Sequence, residues 1–262
     1  MLGPVGDSCE NQRRSDVVSL VDWLGIEART RSCTAVVGAG GKTTTTFGLA
    51  AELADRGDRT IVSTTTKMGR DQTGGLVVVG LDRTAIDAAL GQYGTCLVVD
   101  SSRTSDRKIS GLTKSEASQL WLGEPRLAMH LVLEADGARK HNVKAPAPHE
   151  PVIPSVCTHV IAVIGADALN RVIEDQAHRP LRVAAVAGLR PYDRLTALGA
   201  WRLLTDRQLG SAKDVPAGAW FGVLINKVTP TQRDIANELF GLLTEGGTPT
   251  LVSDFSGAKV SR

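Results

Sequence analysis

Val36-Val37-Gly38-Ala39-Gly40-Gly41-Lys42-Thr43-Thr44 ends a short β-favouring run, Thr34 to Val37, in a glycine-rich loop and then opens a stretch of helical periodicity. A strand before and a helix after are the setting in which such a loop cradles phosphate. Glycines let backbone N–H groups turn inward around phosphate oxygens, and the helix N-terminus adds the positive end of its dipole. Lys42 supplies a point charge, Thr43 a hydroxyl for magnesium, and Thr44 a reach to another phosphate oxygen. The longer spacing G-x-x-x-x-G-K-[ST] would place glycine at position 36, where Val36 stands, so the match is to the shorter G-x-x-G-K-[ST] form. A bare glycine-rich turn is the bland alternative. The surrounding strand and helix favour a nucleotide, so Gly38, Ala39, Gly40, Gly41, Lys42, Thr43 and Thr44 are assigned to an NTP, ATP or GTP, with Mg2+.

Working outward, Phe47, Ala50, Ala51 and Ala54 share one helical face, Gly57 supplies a stop, and Thr60 to Ser63 reads as the next strand. Strand, loop, helix and strand make a βαβ unit. Further strands are predicted at Leu76 to Val79, Thr95 to Val99, Met129 to Leu133, His159 to Ile164 and Ala219 to Ile225. These runs are nearly continuous in apolar residues, as parallel strands covered on both faces require. Near the far end, Thr229-Pro230 with Gln232 can cap a helix whose Ile235, Leu239, Leu242 and Leu243 face inward, before Gly246 and Gly247 end it. The expected fold is therefore α/β, a doubly wound, mostly parallel sheet of P-loop NTPase type. Residues 1–15 read as a disordered start and 16–262 as a single P-loop NTPase-like α/β domain. A short helix is expected over Val17 to Leu24, and a stiff loop over the proline-rich Ala145 to Pro154.

Composition narrows the function classes. Only 4% of residues are aromatic and the formal net charge is +2 with no polybasic block, so neither base stacking nor a nucleic-acid or membrane-surface footprint is visible. Cys9, Cys33, Cys96 and Cys157 are far apart with no C-x-x-C pair, which reads as reduced buried thiols. No leader pattern or membrane-length apolar stretch is present in the sequence, and a cytoplasmic location is expected.

Glu134 and Asp136 follow the apolar Leu131-Val132-Leu133, and their spacing of two points both carboxylates the same way. One would hold magnesium and the other orient a nucleophile, against the plainer reading of a solvated turn. Lys42, Glu134 and Asp136 are the catalytic candidates, and Thr43, Glu134 and Asp136 the metal candidates. Thr66 and Lys67 close the threonine run after the second strand, where parallel sheets place ligand loops; an exposed polar loop is an equal reading. Lys144, His149 and Glu150 lie on the proline-stiffened stretch and are candidates for an anionic small-molecule substrate, again with a solvated loop as the equal alternative. His178 and Arg179 divide the same way, His141 reads as solvated loop, and His130 and His159 as structural.

Together with the threonine run ending at Lys67, three stretches carry a family resemblance: Val37 to Thr44, Glu134-Ala135-Asp136-Gly137-Ala138, and Lys144-Ala145-Pro146-Ala147-Pro148-His149-Glu150-Pro151. On these residues the chain resembles the selenium-dependent molybdenum hydroxylase accessory proteins of the YqeC type, over roughly residues 33–230. The resemblance implies a cytoplasmic P-loop accessory protein that assists maturation of a molybdenum hydroxylase client or its selenium-containing cofactor. NTP hydrolysis or phosphoryl transfer is one reading, and a nucleotide-gated chaperone or binding protein with slow turnover another. A small acid-activating ligase is a third, since the short loop form resembles that of Mur ligases. For the base, Asn226 and Lys227 stand as in the N-K-x-D segment of GTPases, but Thr229 occupies the fourth position, so guanine selectivity is expected to be weak. A strand end in which Asn226 only satisfies backbone is the competing reading.

Overall fold

The computed structural model describes residues 19–100 and 108–253. Its strands are β1 (Ser32–Gly38), β2 (Thr60–Thr64), β3 (Lys67–Gly69), β4 (Val78–Val79), β5 (Thr95–Val98) and β6 (Lys108–Ser110). They continue as β7 (His130–Glu134), β8 (Val143–Lys144), β9 (His159–Gly165), β10 (Ala177–His178), β11 (Trp220–Asn226) and β12 (Thr250–Val252). The helices are α1 (Leu20–Trp23), α2 (Lys42–Asp55), α3 (Arg83–Tyr93), α4 (Lys114–Leu122), α5 (Ile173–Gln176), α6 (Pro180–Ala187), α7 (Ala197–Thr205) and α8 (Arg233–Glu245). Eight strands form one sheet in the order β12-β11-β9-β1-β7-β2-β5-β4, every neighbouring pair parallel. The expected doubly wound α/β fold of P-loop type is the one observed.

Alternate residues of the central strands enter opposite cores, which explains their unbroken apolar runs. Cys33, Ala35 and Val37 of β1 pack on the side of α3 to α8, whereas Val36 packs with Leu20, Val21, Leu49, Ala50 and Leu53 of α1 and α2. Each leucine fully buried in this way contributes about 1.5–3 kcal/mol.

Several predicted elements shift. The buried face of α2 is Thr45, Thr46, Leu49, Ala50 and Leu53, while Ala51 of the expected stripe is exposed. The expected strand at Leu76 to Val79 shrinks to Val78–Val79, because it sits at the sheet edge with β5 as its one neighbour. The helix before Leu24 is seen as Leu20–Trp23 with Ser19 accepting from the Asp22 amide; Val17, Val18 and the expected disordered start lie outside the described residues. Thr229 and Pro230 do open the last helix, but through a 3-10 turn over Pro230–Gln232 before α8 begins. Periodicity did not single out α3, α4, α6, α7 or β12. Cys33, Cys96 and Cys157 are free and buried, and Cys9 lies outside the described residues. Among the described residues no helix is long and apolar enough to cross a membrane.

Candidate functional site

Because the sheet is parallel, the C-terminal ends of β2, β7, β1, β9 and β11 lie side by side, and each carries a sequence-predicted segment or its neighbour. The glycine loop leaves β1 and is held on three sides. The Gly38 amide donates to Asp136 Oδ2 at 3.1 Å, the Ala39 amide to the Val163 carbonyl at 2.8 Å, and the Gly40 amide to the His141 carbonyl at 3.2 Å. Gly41 has φ +135°, where a side chain is strained, and a Cβ there would lie 2.0 Å from the Asn226 amide nitrogen and force that side chain to move. These bonds use the loop's first amides, and α2 begins without a side-chain cap. Its first-turn amides, at Lys42, Thr43 and Thr44, are therefore the donors an anion can meet.

Glu134 and Asp136 converge as their spacing predicted. Lys42 Nζ is 3.4 Å from Asp136 Oδ1 and 3.8 Å from Glu134 Oε1, and the Thr43 hydroxyl donates to Glu134 Oε2 at 2.7 Å. Burial pushes the Glu134 carboxyl up, against the pull of Lys42 and Thr43. Asp136 is 2% exposed and also touches Lys144 Nζ at 3.2 Å. Its charge thus anchors the loop through Gly38 as well as facing Lys42.

Lys144, His149 and Glu150 separate in space by role. The Lys144 side chain is fully buried and its ammonium donates to the Gly137 carbonyl at 2.8 Å and to Glu150 Oε2 at 2.9 Å. Arg179 grips both oxygens of Glu150, at 2.7 and 3.2 Å. In this conformation neither Lys144 nor Glu150 is presented to a solvent-borne substrate, while His149 is exposed. The stiff loop expected over Ala145 to Pro154 is largely buried rather than a surface feature. Burial raises the Glu150 carboxyl, but the bonds from Arg179 and Lys144 outweigh it and hold the group at about 2. A depressed carboxylate stabilises the fold above its ordinary value of 4.5 and loses that contribution as pH falls toward 2. Urea melts of Glu150→Gln should accordingly show a flatter fall in stability between those pH values than the parent chain; identical slopes would detach Glu150 from acid unfolding.

Thr66 and Lys67 sit beyond the end of β2. The Thr64 hydroxyl and the Thr65 amide both donate to the Glu134 carbonyl at 3.0 Å, and Thr66 Oγ1 is 3.2 Å from Thr64 Oγ1, so the run ties β2 to the acidic strand end. Lys67 is exposed at the start of β3, which pairs with β6. Asn226 is 1% exposed and donates from Nδ2 to the Gly40 carbonyl at 3.0 Å. Lys227, in a left-handed backbone conformation, reaches Asn142 Oδ1 at 2.8 Å and Asp167 Oδ2 at 3.5 Å. Asn226→Ala should therefore weaken ATP and GTP together, several-fold, by loosening the loop. Competition binding in which one base alone lost affinity would restore the base-reading role.

Asn142 and Asp167 were missed from sequence; only the place of Asp167 just beyond β9, next to the loop strand, could have flagged it. His141 and His178 stack at 5.9 Å beside the loop, with Arg139, Lys140 and Arg179 in the left-handed region. Burial, then Arg179, Lys144 and Arg139, bring His178 down to about 4, so it is neutral at pH 7. His130 is structural as expected, held by Ser32 at 2.8 Å and Asp58 at 3.3 Å.

A family model of the YqeC protein matches residues 34–181, which carry the loop, the acidic strand end and the Lys144 network. The chain is also 33% identical over 225 residues to the uncharacterized protein YqeC of Escherichia coli (strain K12), covering 84% of this chain and 85% of that protein. The chain belongs to the YqeC family. For a YqeC protein, the matched span thus runs from β1 into α6 and takes in Lys42, Glu134, Asp136, Lys144, Glu150 and Arg179, whereas Asn226 and Lys227 lie beyond it.

Proposed function

We propose that this YqeC protein binds a nucleoside triphosphate with magnesium and uses it, by hydrolysis or phosphoryl transfer, during maturation of a molybdenum hydroxylase or its selenium-containing cofactor. The observation that carries the nucleotide reading is the meeting of Lys42, Thr43 and Glu134 at the uncapped N-terminus of α2. First-turn amides and Lys42 would hold phosphate oxygens, Lys42 turning from its carboxylates toward them. Thr43 and Glu134 offer the hard oxygen donors magnesium takes. Among the described residues no group of three His, Cys, Asp or Glu could hold a metal, so the nucleotide and water would complete its shell. Magnesium, when bound, neutralises phosphate charge. The molybdenum context rests on the family resemblance. A cytoplasmic setting is part of this proposal.

Calorimetry with ATP and GTP in magnesium tests the binding, and phosphate release with and without a partner hydroxylase and candidate anions tests the reaction. Glu134→Gln should cut magnesium-dependent turnover about a hundredfold while changing nucleotide affinity far less. Wild-type turnover in this variant at low magnesium would remove Glu134 from the site. One feature favours a nucleotide-gated binding protein as a second reading: Asp136 joins Lys42 to the buried Lys144, so withdrawal of Lys42 toward phosphate would be felt in the proline-rich loop. Hydrolysis that appeared only with a client present would support that version over a small-molecule enzyme.

A further inference from the structure

At the N-terminal ends of the central strands, opposite the phosphate loop, Arg31 precedes β1, Arg59 precedes β2 and Met129 precedes β7, three adjacent strands. Being parallel, these strands gather their N-terminal ends on one side. Arg29 and Arg126 join Arg31 and Arg59 around a pocket of about 460 Å³ that Leu127, Ala128 and Met129 also line.

Four arginines around one small pocket repel one another unless carboxylates or a ligand offset their charge. Asp87 pairs with Arg59 at 2.6 Å and Glu124 with Arg126 at 3.0 Å. Arg31 instead lies over the Trp121 ring, 3.9 Å from its centroid, and donates to the Trp121 carbonyl at 3.1 Å. Neither Arg31 nor Arg29 has an ion pair among the described residues. In addition, the Nε atoms of Arg31 and Arg59 are buried without a hydrogen-bond partner. Such unmatched donors mark positive charge that the surrounding protein groups do not fully satisfy. Burial and the neighbouring Arg126 lower the affinity of Arg31 for its proton, against the pull of the nearby Glu124 carboxylate.

We propose that this pocket binds a small oxyanion of the phosphate-ester or pyrophosphate class, carrying at least two negative charges. Two arginines without an ion pair set the charge, guanidinium donors match phosphate oxygens, and the volume falls within the range of small-ligand pockets. The length of β1 places the pocket roughly 20 Å from the phosphate loop at about 3.3 Å per residue, so both sites can be filled together.

Pyrophosphate is the probe, titrated calorimetrically into the full chain carrying Lys42→Ala to silence the phosphate loop. One equivalent should bind, more weakly as salt rises, and adding Arg29→Gln with Arg31→Gln should weaken it at least tenfold. Because Arg31 packs on Trp121, the exposed Arg29→Gln alone serves as the variant expected to keep its fold, with a several-fold loss. The same arginine changes in a chain with Lys42 intact should leave ATP binding unaltered, which separates this site from the nucleotide reading. Absence of pyrophosphate binding in the Lys42→Ala chain, or unchanged binding after the arginine changes, would overturn the proposal. So would displacement of pyrophosphate by a poly-glutamate peptide at lower concentration than by inorganic phosphate, which would assign the pocket to an acidic protein segment.

Discussion

Replacing Lys42 by alanine is expected to lower triphosphate affinity at least about a hundredfold, since two charge-assisted hydrogen bonds of about 1.5 kcal/mol each make up that factor. Unchanged calorimetric affinity for ATP and GTP in magnesium would sink the phosphate-loop assignment. The same substitution has a structural cost that the sequence did not suggest. A lysine on a loop reads as surface charge, yet Lys42 is 5% exposed and lies between Glu134 and Asp136. Its removal leaves two converging carboxylates without their shared cation, so some loss of stability should accompany the loss of binding. Circular dichroism at the assay temperature separates the two effects, and Lys42→Arg, which keeps the charge with altered geometry, should recover stability more fully than affinity.

The second large effect falls on the fold. Lys144→Met should destabilise the chain by about 3–5 kcal/mol, because Asp136 and Glu150 would each lose a buried cationic partner. Arg179 and Lys42 remain on those carboxylates and limit the damage. For a chain of this size the loss corresponds to a fall in Tm on the order of 10 °C. Thermal melts in which the variant matched the parent within a degree or two would show that the network is not supporting the fold, and would return Lys144 to the substrate-facing role its sequence position suggested. Adding Glu150→Gln to Lys144→Met should cost less than the sum of the two changes, since the network is already broken.

Part of this molecule follows from local chemistry. Glycines, Lys42 and Thr43 between a strand and a helix specify a tight loop that opens a helix, because backbone conformation and helix polarity are properties of adjacent residues. Continuous apolar runs specify parallel strands covered on both faces, and the spacing of Glu134 and Asp136 specifies a common direction, because strand periodicity is local too. The shortening of the strand at Leu76 to Val79 and the exposure of Ala51 on α2 were not legible because each depends on neighbours distant in sequence. The partners of the charges are of that kind. Lys144 and Glu150 read equally as substrate groups or as a solvated loop, and only folding shows Lys144 buried against Gly137 and Arg179, 29 residues away, on Glu150. Asn226 reads either as a base-contacting residue or as one that only satisfies backbone, and only the placement of β11 two strands from β1 shows its amide meeting the Gly40 carbonyl, 186 residues away. The arginine pocket has no sequence signature whatever, since its members come from separate loops that a parallel sheet collects at the N-terminal ends of its strands. Residue type and spacing thus settle the glycine loop and the common direction of Glu134 and Asp136, and long-range packing settles which charges are paired, because a charge is neutralised by whatever the fold places within a few ångströms of it.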